Sequence, residues 1–136
     1  MKNKKSLLLS MLALVLFSCN QVKLNLEDPT WAVTQIFIAA ESGNYDILPF
    51  LCDPMGEGDG DTKDICNIKN ADYVFKEAFG SAQEYLEMFN RVYQGGEVLN
   101  HFVTGNEAVV TYRFDGKRIE EMYMIKRDGK WYLYSF

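Results

Sequence analysis

The chain has 136 residues, 48% of them apolar and 24% charged, which suits one compact domain and excludes extensive disorder. Its formal charge is −5, and losing the segment that carries Lys2, Lys4 and Lys5 would leave 11 basic against 19 acidic residues. That acidity excludes nucleic-acid binding by phosphate neutralisation, and a single His with no CxxC or HExxH spacing argues against a zinc site.

Residues 1–18 read MKNKKSLLLSMLALVLFS. Three lysines precede an apolar run from Leu7 to Phe17, too short to span a bilayer but suited to the hydrophobic region of a signal peptide. The run ends Leu16-Phe17-Ser18-Cys19. This resembles the bacterial lipoprotein lipobox, with Leu three before the Cys and a small residue just before it. The resemblance implies cleavage after Ser18, acylation of Cys19, and a protein lipid-anchored to a membrane of the cell envelope on its periplasmic or surface side. Residues 19–28 then form a lipidated tether, and 29–136 form the domain. An address in an oxidising compartment leaves Cys52 and Cys66 as an even pair expected to bridge.

Asp28-Pro29 marks a helix start, since Asp caps and Pro suits the first helical position. Trp31, Val33, Ile36, Phe37 and Ala40 follow at helical spacing, and Gly43 fits the end. Asn44 is expected to cap a short second helix through Leu51, with Pro49 its weak point. The segment between the two cysteines, rich in Gly and Asp, reads as a solvated loop. Its carboxylates, Asp53 to Asp64, lack the spacing of a calcium loop, and no metal or cofactor is expected. Residues 71–93 read as helix, broken near Gly80-Ser81. From Glu97 the period becomes two. Four strand candidates are separated by the turn dipeptides Gly105-Asn106, Asp115-Gly116 and Asp128-Gly129. The class is α+β, with N-terminal helices packed on a curved antiparallel sheet of four or more strands.

Two segments carry a family likeness. One runs from Asp28-Pro29 to Ala39-Ala40-Glu41-Ser42-Gly43-Asn44-Tyr45. The other comprises Gly105-Asn106-Glu107-Ala108-Val109-Val110 and Arg127-Asp128-Gly129-Lys130-Trp131-Tyr132. The chain resembles the cystatin-like superfamily of nuclear transport factor two, ketosteroid isomerase and SnoaL-like cyclases, and within it the small bacterial lipoproteins. The resemblance implies a cone-shaped domain. It transfers no catalytic residue, because no matching set of base and oxyanion donors aligns.

Even-length turns at all three dipeptides would place Tyr112, Tyr123 and Tyr134 on one sheet face with His101 and Glu121, and would set Arg113 opposite Glu120. That face is expected to meet Trp31 and Phe37 of the first helix. Tyr112, Tyr123, Tyr134, Trp31 and Phe37 are thus the ligand-binding candidates, and Glu121 and His101 the acid–base candidates. The opposite face would carry Met122, Met124, Trp131 and Leu133, which suggests a homodimer contact or an accessory helix. Three functions are compatible with this layout. The first is an envelope domain that binds a small apolar ligand or a protein partner without catalysis. The second is an isomerase- or dehydratase-type enzyme using Glu121 or His101. The third is a structural accessory subunit.

Overall fold

A computed structural model describes residues 23–75 and 80–136. The expected signal peptide, Cys19 and the start of the expected tether lie outside the described residues, as do residues 76–79 of the expected third helix.

Helix α1 spans Pro29–Ser42. The Asp28 carboxylate accepts from the Thr30 amide at 2.8 Å, Pro29 takes the first turn, and Gly43, at φ 70°, closes the end by donating to the Ala39 carbonyl. Ala32, Val33, Ile36, Phe37, Ala39 and Ala40 are buried, so the stripe read from the sequence is the packing face. The domain begins slightly earlier than its helix. Leu26 is buried and its carbonyl accepts from Trp131, so the expected tether gives way to packed structure before residue 28.

The second helix is not an α-helix. Asn44 caps only a turn, through Asp46, and Leu48–Phe50 form one 3-10 turn. Pro49 has no N–H for a helix begun at Asn44, which is why the longer helix fails. The inter-cysteine segment, in turn, is not simply a loop. Gly60–Cys66 form helix α2, capped by Asp59, whose side chain accepts from the Thr62 amide at 2.9 Å. The disulfide Cys52–Cys66 fastens α2 to the 3-10 segment. Helix α3 covers Ala82–Tyr93, starting at Ser81 as the break near Gly80 implied. Ser81 accepts from the Glu84 amide, and Glu84 reaches back to accept from the Gly80 amide at 2.8 Å.

The sheet is an antiparallel meander in the order β1 (Glu97–Thr104), β2 (Glu107–Phe114), β3 (Arg118–Arg127), β4 (Lys130–Ser135). The helices cover one face. The outer edge of β4 is also covered: Trp131 and Leu133 donate to the Leu26 and Leu51 carbonyls, and the Asp59 amide donates to Tyr134. At Gly58 and Gly96 backbone and core come close. A Cβ on Gly96 would lie 2.3 Å from the Phe37 ring, and one on Gly58 3.3 Å from the Tyr134 carbonyl.

The register corrects one expectation. The turns at Gly105-Asn106 and Asp128-Gly129 hold two residues each, since Thr104 pairs with Glu107 and Arg127 with Lys130. At the middle turn, however, Phe114 pairs with Arg118, leaving three residues, Asp115, Gly116 and Lys117. Asp115 and Gly116 both take positive φ, and the Lys117 amide bonds back to Phe114. An odd loop reverses the faces of everything after it. Ala108, Val110, Tyr112 and Phe114 face the helices as expected. On β3 and β4 it is Met122, Met124, Trp131 and Leu133 that join them in the core, while Tyr123 lies on the open face. The apolar patch that suggested a homodimer or accessory helix is therefore the core itself. Arg113 does not oppose Glu120: its partner across the ladder is Ile119, and its guanidinium pairs with Glu97 on β1. Two further irregularities, at Leu99 and Tyr134, each insert a residue without a ladder partner.

Candidate functional site

The expected acid–base pair is not assembled. His101 sits opposite Val110 on the helix side of β1 but is exposed, beyond the cover of the helices. Glu121 sits opposite Thr111 on the open face and accepts from the Tyr123 hydroxyl at 3.2 Å. The odd turn separates the two residues by the thickness of the sheet. The candidate ligand residues divide in the same way. Phe37 and Tyr112 are in the core with ring centres 5.7 Å apart, and Trp31 is half-buried against it. Tyr123 and Tyr134 instead line an open-face groove of about 490 Å³ together with Phe102.

The same odd turn brings a different carboxylate inward. Tyr112 pairs with Glu120, so Glu120 stands at the rim of the helix-covered face. There, between α2, α3 and the sheet, lies a cavity of about 320 Å³. Its apolar wall is Tyr85, Met88 and Tyr93 from α3, Phe114 from β2, and the C-terminal Phe136. The rings run in contact: Phe114 lies 5.9 Å and Phe136 6.3 Å from Tyr93, and Tyr112 lies 5.7 Å from Phe114. Phe75 stacks on Tyr85 at 4.7 Å and meets Tyr73 edge-on. The polar wall is Asp61 and Asp64 on one side of α2 and Glu120 across from them.

Spacing explains why these groups meet. Asp61, Asp64 and Ile65 are three and four apart on α2, and Tyr85, Met88 and Tyr93 recur at helical intervals on α3. The Tyr73 hydroxyl donates to Asp64 Oδ1 at 2.8 Å, and burial with that neighbouring carboxylate pushes its pKa up to about 12. Burial likewise raises the Tyr85, Tyr93 and Tyr112 hydroxyls above the ordinary phenol value. Tyr93 acts electrostatically on both Tyr85 and Tyr112, Asp61 on Tyr85 and Tyr93, and Glu120 on Tyr93 and Tyr112. The three phenols are therefore neutral donors gathered about one space. Desolvation raises the Asp61 carboxyl, and the charges of Asp59 and Asp64 raise it further.

The remaining acidic side chains of the segment are committed to structure. Asp53 and Glu57 both bind Arg127 at the end of β3, at 3.0 and 2.7 Å. Asp59, besides capping α2, accepts from the Phe136 amide at 3.0 Å. Among the described residues no three His, Cys, Asp or Glu side chains converge as a metal site requires. The cavity was missed in the sequence because α2 was missed. Its signal was an Asp cap three residues before Thr62, hidden in a run of Gly and Asp.

Comparison with protein-family models, with curated proteins and with solved structures finds no match.

Proposed function

We propose that this chain is a lipid-anchored domain of the bacterial cell envelope, built on a cystatin-like plan, that binds a small and largely apolar ligand without catalysis. The observation that carries the binding reading is the cavity between α2, α3 and the sheet. It is walled by Tyr and Phe rings, with hydroxyls and carboxylates making up about as much of its lining as the apolar groups, and such polar groups fix a ligand's orientation. Support for binding over catalysis is that His101 and Glu121, the acid–base candidates, stand on opposite faces. The anchor rests on Leu16-Phe17-Ser18-Cys19.

Two measurements test the proposal. Cys19→Ala should release the protein from membranes and remove labelling by a fatty-acid analogue; persistent labelling overturns the anchor. For the site, the full chain in neutral detergent is titrated with the indole probes tryptophol and tryptamine while tyrosine ring resonances are followed by NMR. Binding should shift the rings of Tyr85, Tyr93 and Tyr112. Met88→Trp, which fills the cavity from its half-buried wall, should abolish the shifts with the far-UV circular dichroism unchanged. Absence of any shift with both probes overturns the site.

A further inference from the structure

The cavity combines three features that bear on the charge of its occupant. Its carboxylates come from two sides, Asp61 and Asp64 on α2 and Glu120 on β3. Neither Asp61 nor Glu120 forms an ion pair among the described residues, and no Lys, Arg or His lines the space. Arg118 sets its guanidinium over the Phe114 ring at 5.8 Å and is not among the lining residues.

The second feature is a hydroxyl on the cavity wall. Tyr112 is 2% exposed and lines this cavity, and its phenol oxygen is not among the buried polar atoms left without a partner, a place that Thr62 Oγ1 takes. A phenol oxygen that keeps access to a cavity can accept from or donate to a ligand there. The third feature is the wall. Phe114 and Phe136 each lie in ring contact with Tyr93, and aromatic rings attract cations to their faces.

A carboxylate ligand would meet three like charges and, among the described lining residues, no counter-charge. A bare metal ion would lack converging ligands, as above. A cation carrying its own apolar body would meet rings, phenol oxygens as acceptors and carboxylates together. We propose that this cavity is selective for a small organic cation, an amine on an apolar body. The inference rests on the reading of the cavity as a ligand site and adds the class of ligand.

The test compares three probes of similar size on the full chain in neutral detergent: tryptamine (cationic), tryptophol (neutral) and indole-3-acetate (anionic). Titrations are run at about 0.15 M salt, so that the diffuse negative charge of the protein is screened. Tryptamine should bind at least about tenfold more tightly than tryptophol, in line with a cation held by rings and nearby carboxylates, and indole-3-acetate should be the weakest. The double variant Asp61→Asn/Glu120→Gln keeps shape and removes charge; it should erase the preference for tryptamine over tryptophol. Tyr112→Phe should weaken tryptamine, since it removes a phenol oxygen from the wall. Equal affinity for tryptamine and tryptophol, or a preference that survives the double variant, overturns the cation inference and leaves the ligand site standing. Failure of every probe to shift the tyrosines removes both.

Discussion

The register of β3 makes a sharp prediction about two adjacent residues. Met122 is fully buried, opposite Val110 and against the helices, whereas its neighbour Tyr123 is 44% exposed on the open face. Truncating Met122 to Ala removes a side chain that no rearrangement at the surface can replace, and buried Met→Ala changes cost about 2–5 kcal/mol. Truncating Tyr123 loses a partial cross-strand contact and its hydroxyl bond to Glu121, worth less than about 1 kcal/mol on an exposed sheet face. For a domain of this size the urea dependence is about 2 kcal/mol per molar, so Met122→Ala should lower the unfolding midpoint by about 1–2.5 M and Tyr123→Ala by a fraction of that. Equilibrium urea unfolding followed by tryptophan fluorescence gives both numbers, because Trp131 is in the same core. Had the middle turn held an even number of residues, Tyr123 would face the helices and the order of the two effects would reverse. A larger loss from Tyr123→Ala than from Met122→Ala would therefore refute the three-residue turn and, with it, the inward position of Glu120.

The disulfide and the Arg127 cluster give two further tests. Cys52 and Cys66 are 14 residues apart, and replacing both with Ser should lower stability by about 3 kcal/mol on the chain-entropy account, read as a drop in urea midpoint against the oxidised parent. Burial alone would raise the Asp53 carboxyl, but the hydrogen bond from Arg127, the Met55 amide and the Arg127 charge outweigh it and hold the pKa below its ordinary value. A depressed carboxyl stabilises the fold above its unfolded pKa, about 3.9, and that contribution is lost as pH falls through the folded value. Asp53→Asn should thus be less stable than the parent at pH 7, with the difference shrinking below about pH 4; urea midpoints that differ equally at pH 7 and pH 3 would contradict the coupling.

Local signals were legible in the sequence wherever one residue does one job. Asp28-Pro29 and Gly43 delimit α1 because a cap, a fixed φ and a left-handed residue act within a turn of themselves. The four strands follow from period two and from Gly-containing turns, and the cysteine pair follows once the lipobox resemblance sets Cys19 apart. Helix α2 was hidden because its cap, Asp59, stands among Gly56, Gly58 and Gly60, whose composition reads as loop. One of these, Gly58, is needed for a different reason, the close approach to the Tyr134 carbonyl. After Asn44 the apolar spacing predicts a short helix, but the missing N–H of Pro49 confines the segment to a 3-10 turn.

The middle turn failed for a deeper reason, since Asp115-Gly116 is compatible with both a two-residue hairpin and a three-residue one. Two physical arguments competed over it. Turn parity put Tyr123 and Tyr134 inside; hydrophobic burial favoured Met122, Met124, Trp131 and Leu133. Fully burying each such side chain is worth about 1.5–3 kcal/mol, so four of them outweigh a preference between two common turn lengths. The objection that Lys126 and Glu120 would then be buried as well does not hold at the ends of strands. Lys126 runs along the core face and sets its ammonium over the Trp131 ring at 5.2 Å, reaching water past the edge. Glu120, at the opposite end of the same strand, stays exposed while standing beside Tyr112. The strand can therefore present an apolar middle and charged ends to one face, and its acidic end contributes a carboxylate, Glu120, to the cavity lining.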